Sequence, residues 1–183
     1  MTVGRLVLRV AVGGLMAGHG LQKLKGSFGG PGLAGTEQMM GAIGMHPAKH
    51  QARAAALAET VGGSLTALGL CSPLGPAMLT GVMTIAVNKV HLKNGVWVTQ
   101  GGYEYNAVLM AAAFALAADG PGRWSLDRLF GNDRSGLRWG LCELALGVGA
   151  AAANLELAKR MAPPAAVSPT SEDGTADAGA GSS

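Results

Sequence analysis

Long apolar segments separated by short polar ones dominate the pattern of this sequence. The first runs from Arg5 to Leu24, and the glycine- and proline-rich residues 26–35 follow it. Three more run from Pro47 to Leu70, from Leu74 to His91 and from Tyr103 to Ala118. Apolar runs of about 20 residues are typical of membrane-spanning helices. The pattern therefore predicts four core spans.

A short amphipathic helix is predicted between the first and second spans. Thr36 can cap its amino end, and Met39, Met40 and Ile43 then share one face. A helix of this length cannot cross a bilayer, so we expect it to lie at the interface or to fold over the bundle.

The segment from Leu137 to Leu157 is long enough for a fifth span. Glu143, Asn154 and Glu156 weaken that interpretation, so an interfacial helix remains an alternative. The sequence after Pro163 has no apolar clusters and is typical of a disordered tail. The pattern predicts three parts: a four-helix membrane domain over residues 1–129, an additional C-terminal helix over 130–161, and a tail over 162–183.

Composition supports an all-α, polytopic transmembrane bundle. Of the 183 residues, 49% are hydrophobic and only 14% are charged, whereas about 25% are charged in a soluble domain. The net charge is +3, and no basic run is interleaved with aromatic residues, which argues against nucleic-acid binding. Cys71 and Cys142 lack CxxC spacing, so a disulfide, a metal ligand and two free thiols all stay open.

The first apolar segment also has features of a secretory signal, because Arg5 and Arg9 precede its apolar run. No A-x-A cleavage site follows, so we interpret the segment as a retained first span. Lysines and arginines are distributed evenly between the two sides of the predicted bundle, so the positive-inside rule does not decide its orientation. We expect a cytoplasmic N-terminus, because several basic residues on the other side can belong to a functional site instead of setting the topology. In the same span, Gly14 and Gly18 form a GxxxG pair that predicts close approach of another helix.

Polar residues on separate spans are expected to meet at one side of the membrane. His19, Gln22 and Lys23 end the first span, His91 ends the third, and Glu104 starts the fourth. Because successive spans alternate in direction, all these ends lie on the same side.

Glu59 lies near the middle of the second predicted span. An ionisable group in hydrocarbon costs about 2.5–3.5 kcal/mol, so Glu59 should face the interior and find a partner. With His19, Lys23, His91 and Glu104 it would form a polar pocket that opens to one side.

Each of these residues has a plainer interpretation. Lys23 can extend to the lipid headgroups, and Glu104 with Tyr103 and Tyr105 can form an interfacial belt. The histidines can be hydrogen-bonded packing residues. No two candidate ligands share a helix at i, i+3 or i+4, so we predict no metal site. A proton relay is more natural for these side chains.

Five motifs occur in order along the chain and together resemble one family. They are HisGly-x-GlnLys at 19–23, PheGlyGlyProGly at 28–32, AlaGlu-x-x-GlyGly at 58–63, GlyGlyTyrGluTyr at 101–105 and GlyProGly-x-x-SerLeuAsp at 120–127. The set resembles the DoxX family of small bacterial and archaeal membrane proteins, over about Arg5 to Leu129. The resemblance implies a four-helix membrane bundle, but it gives no function to Leu137–Leu157 or the tail.

The resemblance also implies a redox function in the cytoplasmic membrane, such as that of a subunit of thiosulfate:quinone oxidoreductase or of a partner in oxidative-stress complexes. The sequence has no flavin, haem or iron–sulfur motif, so the electron carrier would be a quinone or the cofactor of an oxidoreductase partner subunit. Glu59 would then accept a proton, with His19 or His91 as its hydrogen-bond partner.

We expect Lys23, Gln22, Tyr103 and Glu104 to contribute to binding at the same pocket. A small-molecule carrier or sensor, and a structural membrane subunit without chemistry of its own, remain alternatives to the redox function.

Overall fold

The structure is a computed structural model that describes residues 3–163, and within that range it contains helices and no strands. The predicted all-α fold class is therefore confirmed. The α-helices are α1 (Val3–Lys25), α2 (Gly32–Ala42), α3 (Ala48–Leu68), α4 (Leu74–Ala86), α5 (Glu104–Asp119), α6 (Leu126–Leu129) and α7 (Leu137–Arg160). Of the predicted tail, 162–183, all but the first two residues lie outside the described range.

The five long helices alternate in direction, and α4 packs against α3, α5 and α7. The most extensive packing joins α1 to α3. One end of the bundle, which we call the Arg9 end, consists of the start of α1, the α3–α4 turn and the α5–α7 connection. The opposite end, which we call the Lys23 end, consists of the last turns of α1 and α7, helix α2 and residues 95–103.

Among the helices of residues 3–163, α7 alone is long and apolar enough to cross a membrane by length and composition. Helices α4 and α5 have 13 and 16 residues, and at a rise of about 1.5 Å per residue α5 is only about 24 Å long. Helices α1 and α3 have 23 and 21 residues but carry ionisable side chains along their length. The described fold is thus a helical bundle.

Helix α2 begins one turn earlier than the sequence predicts. It starts at Gly32 directly after Pro31, and Thr36 is buried inside the helix rather than at its cap. The Thr36 hydroxyl donates to the Gly32 carbonyl oxygen at 2.7 Å. A threonine hydroxyl that satisfies its own preceding turn is not available to cap, so the predicted cap was wrong.

The glycines at which α1 approaches α3 are not the predicted pair. A Cβ atom on Gly63 would lie 2.6 Å from the Gly13 carbonyl oxygen, and one on Gly20 would lie 2.8 Å from the Ala56 carbonyl oxygen. At Gly14 and Gly18 a Cβ atom would meet nothing within 4 Å. The expectation that Gly14 and Gly18 form the contact was therefore wrong, because α1 turns a neighbouring face towards α3.

A buried arginine fastens the Arg9 end. Arg9 is 5% exposed, and its Nε atom donates to the Ala67 carbonyl oxygen at 3.0 Å. Its two terminal nitrogens donate to the carbonyl oxygens of Pro121 and Trp124. One side chain on α1 thus holds the end of α3 and the loop after α5.

Asp127 completes this fastening. Its carboxylate accepts the backbone N–H groups of Cys71 at 2.9 Å and Ser72 at 2.7 Å, in the α3–α4 turn. The motif at 120–127 therefore has a structural explanation, since it ties the α5–α7 connection to α1 and to the α3–α4 turn at the Arg9 end.

Candidate functional site

A cavity of about 660 Å³ lies towards the Lys23 end, between α1, α3, α4, α5 and α7, with α2 and residues 98–102 also contributing. This volume is within the range of about 300–1,000 Å³ typical of small-molecule sites. Most of its lining is apolar, and six of the chain's nine methionines belong to it. They are Met16, Met39, Met40, Met45, Met78 and Met83. Methionine side chains are flexible and polarisable, so this wall can adapt to an irregular apolar molecule.

An ion pair lies in the wall of this cavity. The Lys23 Nζ atom donates to Glu59 Oε2 at 2.6 Å, and the two side chains are 19% and 4% exposed. Glu59 therefore has the interior position and the partner that the sequence predicts for it. The side chain of Lys23 joins Glu59 instead of extending to lipid headgroups, and both residues line the cavity.

The two predicted histidines also line the cavity. His19 is exposed at the end of α1, and its Nδ1 atom lies 3.0 Å from Oε1 of Gln22. Gln22 does not line the cavity itself. Its side chain is connected to the site through the hydrogen bond with the His19 ring.

His91 lies on a π-helical turn, Val87–His91, that continues α4. Such turns are rare and occur frequently at functional sites. The His91 Nδ1 atom lies 2.7 Å from the Gly101 carbonyl oxygen. A carbonyl oxygen can only accept, so Nδ1 carries a proton and donates this hydrogen bond.

The fourth predicted span contributes different residues from those expected. Tyr103 and Glu104 are half-buried where α5 begins, and neither lines the cavity. The Glu104 N–H donates to the Val96 carbonyl oxygen at 2.8 Å. Tyr105 and Asn106 line the cavity instead. The motif at 101–105 therefore indicates the correct segment, and the helix decides which of its side chains face inward.

Three amides at the site were missed by sequence reasoning. Gln51 and Asn154 exchange hydrogen bonds of 2.7 and 3.0 Å between α3 and α7. Asn106 is 5% exposed, and within residues 3–163 its Nδ2 atom has only the Met83 sulfur, at 3.3 Å, as a partner. A signal existed for Gln51, since it precedes Glu59 by two helical turns and shares its face. In the sequence, Asn154 is notable only as one of the polar residues that weaken the prediction of a fifth span.

Helix α7 carries a second buried carboxyl group outside the cavity. Glu143 is fully buried, and its Oε1 atom accepts from the Thr80 hydroxyl. Its Oε2 atom has no hydrogen-bond partner among the described residues. Close to it, a Cβ atom on Gly81 would lie 3.2 Å from the Gly147 carbonyl oxygen. These contacts pack α7 tightly against α4.

Cys71 is exposed and Cys142 is half-buried, and both are free thiols. Within residues 3–163 no three histidine, cysteine, aspartate or glutamate side chains are grouped closely enough to hold a metal ion.

Residues 4–92 match the family model named DoxX. The match covers α1 to α4, and with them His19, Lys23, Glu59 and His91. Helices α5 and α7 and the motifs at 101–105 and 120–127 lie beyond it. No curated protein and no solved structure gave a significant match.

Proposed function

The chain belongs to the DoxX family, a family of membrane proteins, and we propose that it is a multi-pass protein of the cytoplasmic membrane that binds a quinone as a subunit of a redox complex. The observation that carries the proposal is the Lys23–Glu59 ion pair in the wall of a mostly apolar cavity. Charged side chains in a cleft that otherwise suits apolar molecules are typical of functional sites.

Exposed apolar side chains along the long helices support membrane embedding. Soluble monomers rarely expose large continuous apolar surfaces, yet several large aliphatic side chains of α1, α5 and α7 are between 50% and 65% exposed. Examples are Val7, Val10, Leu15, Val108 and Leu141. Trp97 at the Lys23 end and Trp124 at the Arg9 end are both exposed, as interfacial anchors would be. A bilayer can thin locally around a helix as short as α5.

The chemistry of the lining fits a quinone. Its carbonyl oxygens need hydrogen-bond donors, which Lys23 and Asn106 carry, and its ring and tail need the apolar surface that the methionines supply. A bound quinone would supply two-electron, two-proton redox chemistry. We propose that Glu59 accepts and relays a proton. Its hydrogen-bond partner is Lys23 and not His19 or His91, as the sequence led us to expect. The two histidine rings lie at the same cavity and contact Gln22 and the Gly101 carbonyl oxygen instead. The electrons would be exchanged with the cofactor of an oxidoreductase partner subunit.

Purification from native membranes in a mild detergent, followed by mass spectrometry of lipids and proteins, tests this function. We expect a quinone and an oxidoreductase subunit to co-purify with the unsubstituted chain. Glu59→Gln and His19→Ala should lower the amount of bound quinone at least about ten-fold, which corresponds to about 1.4 kcal/mol.

Matched controls are available outside the cavity. Glu156→Gln removes an exposed glutamate that pairs with Arg160, and His50→Ala removes an exposed histidine. Both should retain the quinone. A pure chain without quinone, or equal quinone in all variants, would contradict the proposed function.

The adaptable methionine wall also favours a second candidate, a carrier or sensor of apolar small molecules. Uptake of a labelled apolar solute into vesicles that contain only this chain would support the carrier. Redox activity that needs a partner subunit would support the first proposal.

A further inference from the structure

Helices α3 and α7 stand on either side of α4 and are bridged by an amide pair. Gln51 of α3 and Asn154 of α7 exchange hydrogen bonds near the Lys23 end. Each helix packs on α4, and the two backbones stay apart along most of their length, although side chains of both helices share a core cluster at the Lys23 end. The amides satisfy each other, so their polar groups need no ligand there. Residues of both helices line the cavity next to this bridge, and we call the part of the cavity between α3 and α7 the cleft.

Small side chains border this cleft one turn inside the amide pair. Ala54 and Ala55 follow Gln51 by three and four residues, and Ala150 and Ala151 precede Asn154 by four and three. Since the two helices run antiparallel, these four alanines lie at about the same depth. All four line the cavity, and Ala54 and Ala150 are also exposed. An exposed, apolar stretch of the cavity wall therefore lies between the two helices.

The size of the cavity limits how much of a quinone can be bound inside the protein. A volume of about 660 Å³ suits a drug-sized molecule. A membrane quinone also carries a long isoprenoid tail, so the whole molecule is too large for this cavity. The head and the first part of the tail fit, and the rest has to leave the protein. Polar surroundings would oppose this, because transfer of methylene groups into water is unfavourable. A passage lined by alanine would not oppose it.

We infer that the cleft between α3 and α7 is the passage through which the tail of a bound quinone extends into the bilayer, so that the ligand is a long-chain lipid quinone that enters sideways. This inference rests on the proposed function. It assigns to α7, which lies beyond the family match, the role of forming one side of the passage.

A pair of probes separates the passage from the cavity. Ubiquinone with one isoprenoid unit and ubiquinone with ten units are titrated into the full chain in lipid nanodiscs, and equilibrium binding is measured. The unsubstituted chain should bind both probes. Ala54→Phe and Ala150→Phe should narrow the cleft, and each should weaken binding of the long-chain probe about ten-fold while the short-chain affinity changes less than about two-fold.

Ala152→Phe is the matched control, since Ala152 is exposed on the same helix but does not line the cavity. It should leave both affinities unchanged. Unchanged long-chain binding in Ala54→Phe and Ala150→Phe would overturn the passage and assign the cleft to surrounding lipid. An equal loss for both probes would also overturn it, because the new ring would then be filling the cavity. In both cases short-chain binding by the unsubstituted chain would leave the proposed function intact, whereas absence of all binding would overturn both.

Discussion

The Nζ atom of Lys23 lies 2.6 Å from Oε2 of Glu59 and joins the end of α1 to the middle of α3. Both residues line the cavity, and Glu59 is almost fully buried while Lys23 keeps 19% of its side-chain surface exposed. The pair therefore has two consequences that can be measured separately. It holds two helices together, and it sets the polarity of the cavity.

Removing one member of this pair should cost more stability than removing both. Glu59→Gln leaves the Lys23 ammonium group without its partner, and Lys23→Met leaves the carboxylate, so we expect each to lower the free energy of unfolding by about 3 kcal/mol. The double variant should lose less stability than either single variant, because it leaves no unpaired charge. Thermal unfolding in detergent measures all three, with Glu156→Gln as the exposed control. Additive losses would show that the two side chains do not stabilise each other.

The packing of α1 on α3 should depend on Gly63 and not on Gly14. Because a Cβ atom on Gly63 would lie 2.6 Å from the Gly13 carbonyl oxygen, Gly63→Ala should force the helices apart and cost about 1–3 kcal/mol. Gly14→Ala places its methyl group in open space and should leave stability unchanged or slightly higher. The midpoints of thermal unfolding of the two variants provide the comparison. If Gly14→Ala were the more damaging change, the assignment of the helix faces would be incorrect.

The fastening at the Arg9 end should be separable from the cavity. Asp127→Ala leaves the backbone N–H groups of Cys71 and Ser72 without their acceptor, and an unsatisfied buried donor costs about 1–3 kcal/mol. We expect a lower unfolding temperature, with ligand affinity at the cavity unchanged at temperatures where the variant is folded. Asp119→Ala is the control, because Asp119 is exposed and lies 3.8 Å from Arg5. A loss of ligand affinity in folded Asp127→Ala would show that the two ends are coupled.

Cysteine labelling tests the orientation predicted from the sequence. Cys71 is exposed at the Arg9 end, where α1 also begins. A cytoplasmic N-terminus therefore predicts that Cys71 in a Cys142→Ala background is protected in intact cells from a membrane-impermeant maleimide and reacts after lysis.

The matched variant carries Lys25→Cys, Cys71→Ser and Cys142→Ala, and its thiol lies at the Lys23 end. It should react in intact cells. The reverse pattern would invert the orientation, and equal reaction of both thiols in intact cells would contradict a membrane-spanning bundle.

Sequence and structure agree most closely where a physical penalty allowed only one solution. A carboxyl group in the middle of an apolar segment has to face inward and find a partner, so Glu59 could be placed from the sequence. Alternation of helix direction then brought His19, Lys23 and His91 to the same end of the bundle. Register was harder to predict, because one residue turns a helix by about 100°, so Tyr105 and Asn106 line the cavity where Tyr103 and Glu104 were expected.

The sequence by itself therefore determined the helical class, the apolar segments and the end of the bundle at which the polar residues gather, because these depend on local periodicity and on the cost of burying charge. The tertiary structure decided which helix faces meet, that Gln51 and Asn154 bridge α3 and α7, and that Arg9 and Asp127 fasten the opposite end. These contacts join residues more than 50 positions apart in the chain. Their formation depends on how whole helices rotate and pack against one another, which no local pattern encodes.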